Sequence, residues 1–204
     1  MIAVLDYGIG NLRSAQKALE KVGADARLVT TPEDAEGASG VVLPGVGAFG
    51  RCMEALRASG LDRVAVDAVA AGTAFLGVCV GMQMLYLSSE ENPDVRGLAV
   101  LHGMVRRLPD GVKRPQMQWN MLKRVGRRSR LLEGLDDEPW VYFVHSYAPD
   151  ATDDVVATCD YGGSVVAAVE RENVMATQFH PEKSGAVGLA LLANFVKVAE
   201  GAPV

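Results

Sequence analysis

"TAFLGVCVGMQ", residues 73–83, decides how the rest of the chain is read. Ala74–Val78 is an apolar run of strand length, and Met82–Ser88 has the pattern of a helix. Between them lies Gly77-Val78-Cys79-Val80-Gly81, a cysteine at a glycine-flanked turn. The pattern has the form of a nucleophile elbow with cysteine in place of serine. Such a turn belongs where a strand of an open α/β sheet passes sharply into a helix, and functional groups gather at the carboxyl ends of such strands.

Outward from this turn the first half alternates. Ile2–Leu5, Ala26–Val29 and Gly40–Leu43 read as short buried strands, the third ended by Pro44-Gly45. Asn11–Val22 reads as a helix with Leu12, Ala15, Leu19 and Val22 on one face and Asn11 as its N-cap. Ala48–Ala58 and Leu61–Ala71 read as two more helices. Beyond the elbow the pattern changes to short runs punctuated by Asp110-Gly111 and Gly162-Gly163. Ala99–Leu108, Met117–Val125, Val141–Tyr147, Val155–Cys159, Val165–Glu170 and Val174–Gln178 are strand-like and partly antiparallel. Ala186–Val198 closes the chain as a helix with Leu189, Leu192, Phe195 and Val196 inward. The expectation is an α/β fold, a mostly parallel open sheet with flanking helices and some antiparallel strands, forming one domain over residues 1–204.

Composition removes several classes of function. The chain is 49% hydrophobic and 22% charged, which suits a packed core rather than a disordered segment. A net charge of −5 argues against nucleic acid. No apolar run is long enough to span a bilayer, and Met1–Asp6 reads as a first strand rather than a signal peptide. Cys52, Cys79 and Cys159 are few and lack CxxC spacing, and His102, His145 and His180 lack metal-ligand spacing. No metal or cofactor is therefore expected, and the chain reads as cytoplasmic. Lys123, Arg124, Arg127, Arg128 and Arg130 form a basic stretch, either a solvated surface or a patch for an anionic partner.

The elbow suggests chemistry. A helix starting near Gly81 would aim its N–H groups at the Cys79 sulfur and favour the reactive thiolate, and the Val80 N–H could donate to an oxyanion. Against this, a lone cysteine is often a small buried apolar residue, and Cys52 and Cys159 are read that way. A nucleophile needs a base and the base an orienter. "QFHPEKS", 178–184, follows a strand and supplies both, His180 with Glu182 two residues on. "LPGVGAFG", 43–50, could present consecutive N–H groups as a nest at Gly45-Val46-Gly47, or could be an ordinary strand-to-helix turn. "DYGIGN", 6–11, fails the GxGxxG pattern, because Arg13 stands where the third glycine belongs.

Together the elbow, the upstream Gly-rich loop and the downstream His-x-Glu resemble the class I (triad) glutamine amidotransferases. "DYGIGN", "LPGVGAFG" and "YFVHSY" (142–147) narrow the resemblance to the branch that works with a cyclase subunit in histidine biosynthesis. The resemblance implies a flavodoxin-like fold and a Cys79–His180–Glu182 triad that hydrolyses glutamine to glutamate and ammonia. It implies an oxyanion and glutamine site from Gly45, Val46, Gly47, Val80, Gln83, His145, Ser146 and Tyr147. It also implies a heterodimer with a barrel-shaped cyclase, faced by Trp119, Tyr142 and Lys183, through which ammonia passes to a phosphate-bearing ribulosyl intermediate. Relatives usually carry P-H-M-G-W-N where residues 115–120 read P-Q-M-Q-W-N, a segment placed towards the partner, so Gln116 and Gln118 leave the details of docking and gating open.

Overall fold

The computed structural model describes residues 1–204. The first half gives β1 (Ile2–Leu5), α1 (Leu12–Lys21), β2 (Ala26–Val29), β3 (Gly40–Gly45), α2 (Phe49–Ala58), α3 (Leu61–Ala70), β4 (Ala74–Cys79) and α4 (Val80–Met84). The second gives β5 (Val105–Arg107), β6 (Gln116–Met121), β7 (Lys123–Arg124), β8 (Trp140–His145), β9 (Tyr147–Pro149), β10 (Val155–Asp160), β11 (Ser164–Arg171), β12 (Val174–Thr177) and α5 (Gly185–Ala199). Eight strands form one sheet in the order β2-β1-β3-β4-β12-β11-β10-β7. The five from β2 to β12 run parallel, and β11, β10 and β7 continue antiparallel. This is the mostly parallel, partly antiparallel α/β sheet expected.

The burial follows from the strand sequences. β1, β3, β4 and β12 are buried at every position, as strands covered by helices on both faces must be. On α1, Ala15, Ala18 and Leu19 are the buried residues, while Leu12 and Val22 are only partly covered. Asn11 sits at the N-cap position but makes no side-chain capping bond. On α5 the buried stripe is Gly188, Leu191, Leu192, Asn194, Phe195 and Val196, with Leu189 at its edge. No helix is long and apolar enough to cross a membrane.

Two sequence expectations are corrected. The helix expected over Met82–Ser88 is one turn, Val80–Met84. The carbonyls that would continue it are taken by a later segment: Leu98 N–H bonds Met84 O at 2.8 Å, and Val100 and Leu101 both bond Leu85 O. Gly97 permits this approach, since a Cβ there would lie 2.0 Å from Tyr86 O. The same bonds cut the strand expected over Ala99–Leu108 down to β5.

β6 and β8 form a separate two-stranded ribbon, as do β5 and β9. Met117, Trp119 and Met121 lie on one face of β6, opposite Val144, Tyr142 and Trp140. Gln116 and Asn120 turn to the other face, toward β10, where Gln116 meets the Cys159 sulfur and Asn120 donates to Asp160 O. Gln116 is fully buried, which removes it from any docking surface; Gln118 remains exposed. The basic stretch is an exposed face whose charges have partners within the chain. Lys123, Arg127, Arg128 and Arg130 pair with Asp160, Asp154, Glu133 and Glu170, and Arg124 donates to the Leu132 and Leu135 carbonyls.

Candidate active site

The adjacent strands β3, β4 and β12 end together. Gly45 is in register with Cys79, and Thr177 with Val78. The loop after β3, the elbow after β4 and the segment after β12 therefore converge at one edge of the sheet, although they are far apart in sequence.

Cys79 has φ 55° and ψ −112°, a strained conformation for a residue with a Cβ. The strain is held by close backbone packing. A Cβ on Gly81 would lie 1.8 Å from the Leu43 carbonyl oxygen, and one on Gly45 would lie 2.7 Å from Gly81 N. The cysteine side chain is thereby fixed relative to the loop. Its sulfur accepts from Gln178 Nε2 at 3.7 Å. Gln178 is itself held by Gln83, whose Nε2 donates to Gln178 Oε1 at 3.0 Å and to Tyr147 O at 2.9 Å. Gln83 thus lines the pocket with its amide N–H groups committed to the protein.

His180 and Glu182 are almost fully buried, with side chains 2% and 5% exposed. His180 Nδ1 lies 2.8 Å from Glu182 Oε1. Burial acts to lower the imidazole pKa. The nearby Cys79 sulfur and the hydrogen-bonded Glu182 carboxylate outweigh it and push the value up to about 10. Nε2 has no hydrogen-bond partner in this geometry, yet Cys79 is close enough to be among the groups that raise it. The backbone holds the histidine in place: His180 N–H donates to Tyr142 O at 3.0 Å, and Ser184 Oγ to His180 O at 2.6 Å. α5 packs against this turn so closely that a Cβ on Gly188 would lie 1.9 Å from Pro181 O.

A cavity of ≈ 230 Å³ opens between these groups, lined by Val46, Gly47, Cys79, Val80, Gln83, Val144, His145, Ser146, Tyr147 and His180 among others. That is below the roughly 300–1,000 Å³ of sites for drug-sized ligands, so it suits an amino acid. Every residue expected at the glutamine site lines it except Gly45, which lies just behind. Glu91 also lines it and was missed from the sequence. Its carboxylate accepts from Phe49 N–H at 2.8 Å, at the start of α2, and Asn92 accepts from Gly50 N–H at 2.8 Å. The tie to α2 holds the Glu91 carboxylate at the pocket, and no local pattern in residues 88–95 announces it.

His145 Nδ1 lies 2.8 Å from Tyr147 O, while its Nε2 is buried without a partner. Burial pushes its pKa down to about 4, against the pull of the Tyr147 carbonyl. The folded chain thus resists a proton that the unfolded chain accepts near pH 6.5. Stability contributed by the neutral ring is present above that value and is lost as pH falls toward 4, by roughly 3 kcal/mol at most. His145→Gln is expected to flatten the drop in urea midpoint between pH 7 and 4.5; an unchanged drop would place its cause elsewhere.

The chain belongs to the class-I glutamine amidotransferases: the family profile Glutamine amidotransferase class-I matches residues 3–199. The fold agrees, since a solved glutamine amidotransferase superposes with TM-score 0.78 at 24% identity, covering 98% of each chain. Within the family, the chain is 50% identical over 199 residues to the imidazole glycerol phosphate synthase subunit HisH of Methanothermobacter thermautotrophicus, covering 97% of this chain and 98% of that one. It is 48% identical over 202 residues to the same subunit from Nostoc punctiforme, covering 96% and 95%.

Proposed function

We propose that this chain is the glutaminase subunit of an imidazole glycerol phosphate synthase, hydrolysing glutamine to glutamate and ammonia for a cyclase subunit. The observation that carries the reading is the convergence of Cys79 and His180 on a cavity of amino-acid size, with Glu182 hydrogen-bonded to His180 from behind. Glutamine enters with its α-ammonium group facing Glu91, the carboxylate at the cavity wall. The Cys79 sulfur attacks the side-chain amide carbon with its proton already held by His180, which Glu182 orients. Negative charge collects on the amide oxygen, next to Val80 N–H and the Gly45-Val46-Gly47 loop. His180 returns the proton to the departing nitrogen, and ammonia leaves a thioester on Cys79. Water, deprotonated by His180, then attacks the thioester carbon and releases glutamate.

Ammonia set free in bulk water would be protonated and lost, so an acceptor must sit against the site. The β6–β8 ribbon has an inverted pattern, with buried Gln116 turned to the protein and Met117, Trp140 and Trp119 exposed at 62%, 54% and 47%. Trp119 meets Tyr142 edge-on at 6.0 Å and reaches the start of α5, beside exposed Lys183. This is the face we assign to the cyclase, with Met117 and Trp140 added to the three residues expected. Trp140→Ala is expected to weaken cyclase binding by about 10-fold or more; unchanged affinity by calorimetry would move the interface elsewhere. In the resulting heterodimer the ammonia joins a ribulosyl phosphate intermediate to give imidazole glycerol phosphate and a purine precursor. A cytoplasmic location fits this role and three buried, unpaired cysteines.

The test is glutamate production from glutamine by this chain with a cognate cyclase, with and without the ribulosyl substrate. Strong stimulation by both supports the reading, and silence in a mixture with confirmed binding overturns it. In the same assay Glu182→Gln is expected to cost up to about 10⁴-fold in kcat, less than loss of the sulfur, because it removes orientation and charge but leaves nucleophile and base. A loss equal to that of Cys79→Ala would give Glu182 a larger part than orientation.

A further inference from the structure

Two buried donors beside the pocket take no part in these steps. The Tyr7 hydroxyl donates to the Pro44 carbonyl at 2.7 Å, and the Cys52 thiol donates to the Val46 carbonyl at 3.3 Å. Tyr7 comes from the loop after β1 and Cys52 from the first turn of α2, so two separate elements grip one loop. The grip is tight. A Cβ on Gly45 would lie 3.0 Å from the Tyr7 hydroxyl and 2.7 Å from Gly81 N, which leaves the loop only a glycine's thickness between Tyr7 and the elbow. Both donors are almost or fully buried, and burial raises the pKa of each, so each keeps its hydrogen.

The carbonyl and N–H of a trans peptide point in opposite directions. Anchoring the Pro44 and Val46 oxygens therefore fixes the directions of the Gly45 and Gly47 N–H groups. A released carbonyl could rotate into the cavity and oppose any negative charge forming there.

We propose that Tyr7 and Cys52 are positioning residues for acyl transfer at Cys79: their O–H and S–H clamp the Pro44 and Val46 carbonyls so that the Gly45–Gly47 loop offers N–H groups, not oxygens, to the developing oxyanion. The proposal rests on the reading of Cys79 as a glutamine-hydrolysing nucleophile. It assigns a role to a cysteine that its sequence context marks only as helix core. The clamp acts on the charge that forms during reaction, not on glutamine as it binds, so its loss falls on kcat and spares KM.

The experiment uses the assembled heterodimer with the ribulosyl substrate present. Tyr7→Phe and Cys52→Ala are each expected to lower kcat about 10-fold or more, with KM for glutamine within about 2-fold. Cys52→Ser, which restores a donor of similar size, is expected to recover most of the loss. Glutamate γ-semialdehyde adds to the Cys79 sulfur and places an oxygen where the oxyanion forms, and its inhibition constant should rise in step with the fall in kcat. Unchanged kcat in Tyr7→Phe and Cys52→Ala, or a serine variant no better than alanine, would overturn the clamp. Should Cys52→Ala fail to fold, Tyr7→Phe with the semialdehyde series decides alone. A wild-type heterodimer that makes no glutamate would instead remove the underlying reading of Cys79.

Discussion

Cys79→Ala is expected to reduce glutamate production in the assembled heterodimer by at least about 10⁴-fold while leaving cyclase affinity within about 2-fold. The loss is large because no other group can replace the sulfur. Neither Cys52 nor Cys159 lines the cavity, and burial pushes both thiols up, that of Cys159 to about 11. Gln178, which donates to the sulfur, has no nucleophilic atom to take over. The fold should survive, because alanine keeps the Cβ and the elbow is held by backbone packing at Gly45 and Gly81 rather than by the sulfur. Three readings separate the possibilities. Glutamate release reports the chemistry, calorimetry reports docking, and cyclase turnover with added ammonium salt reports whether the partner is intact. Hydrolysis within 100-fold of wild type would remove Cys79 from the nucleophile's role, and lost docking would mean that the elbow had collapsed.

The legible parts of the sequence were those whose signal is local. The glycine spacing around Cys79 and the short interval from His180 to Glu182 each report one turn of backbone. The apolar runs at Ile2–Leu5, Gly40–Leu43 and Ala74–Val78 report burial on both faces. From such pieces the α/β alternation and the grouping of strand ends follow. The unread parts depend on distant partners. α4 stops at Met84 because residues 97–101 take its carbonyls, a competition absent from residues 82–88 themselves. Gln116 belongs to the buried face of its ribbon because β6 pairs with β8 with its amides turned toward β10. A polar side chain beside exposed Met117 and Trp119 reverses the usual rule, and only the register reveals it. Glu91 reaches the cavity through the start of α2, some forty residues earlier in the chain.

The same distinction explains why the site is made largely of backbone. Loop, elbow and histidine turn meet where side chains would collide, at Gly45, Gly81 and Gly188. Glycine in "LPGVG" or "GVCVG" signals a tight turn locally. What the glycine must avoid is set by the neighbouring strand. The elbow's strain at Cys79 is tolerated because the groups around it cannot relax one at a time.

Gly81→Ala follows from that packing and is expected to be the most damaging single methyl in the chain's catalytic half. The new Cβ would lie 1.8 Å from Leu43 O and 2.8 Å from Leu43 C, both backbone atoms of the adjacent central strand. No rotamer relieves this, so α4 must lift away from β3. The cost is about 3–5 kcal/mol, a fall in melting temperature of roughly 6–20 °C for a chain of this size. Activity should fall further than stability accounts for, at least about 100-fold in protein that remains folded, because displacements of about 1 Å are that costly at a reacting centre. Leu43 lies only two residues before Gly45, and the elbow carries both Cys79 and Val80. Gly77→Ala provides the control. Its Cβ would meet Leu85 Cδ1, Met82 Cα and Met82 N at 3.0 Å, contacts that shifts of a few tenths of an ångström relieve. The expected order is therefore a severe loss at Gly81 and a moderate one at Gly77, read by thermal melts and kcat on the same preparations. Equal effects at the two positions would mean that the elbow yields more readily than its packing implies, and the rigid coupling of loop to nucleophile would have to be given up.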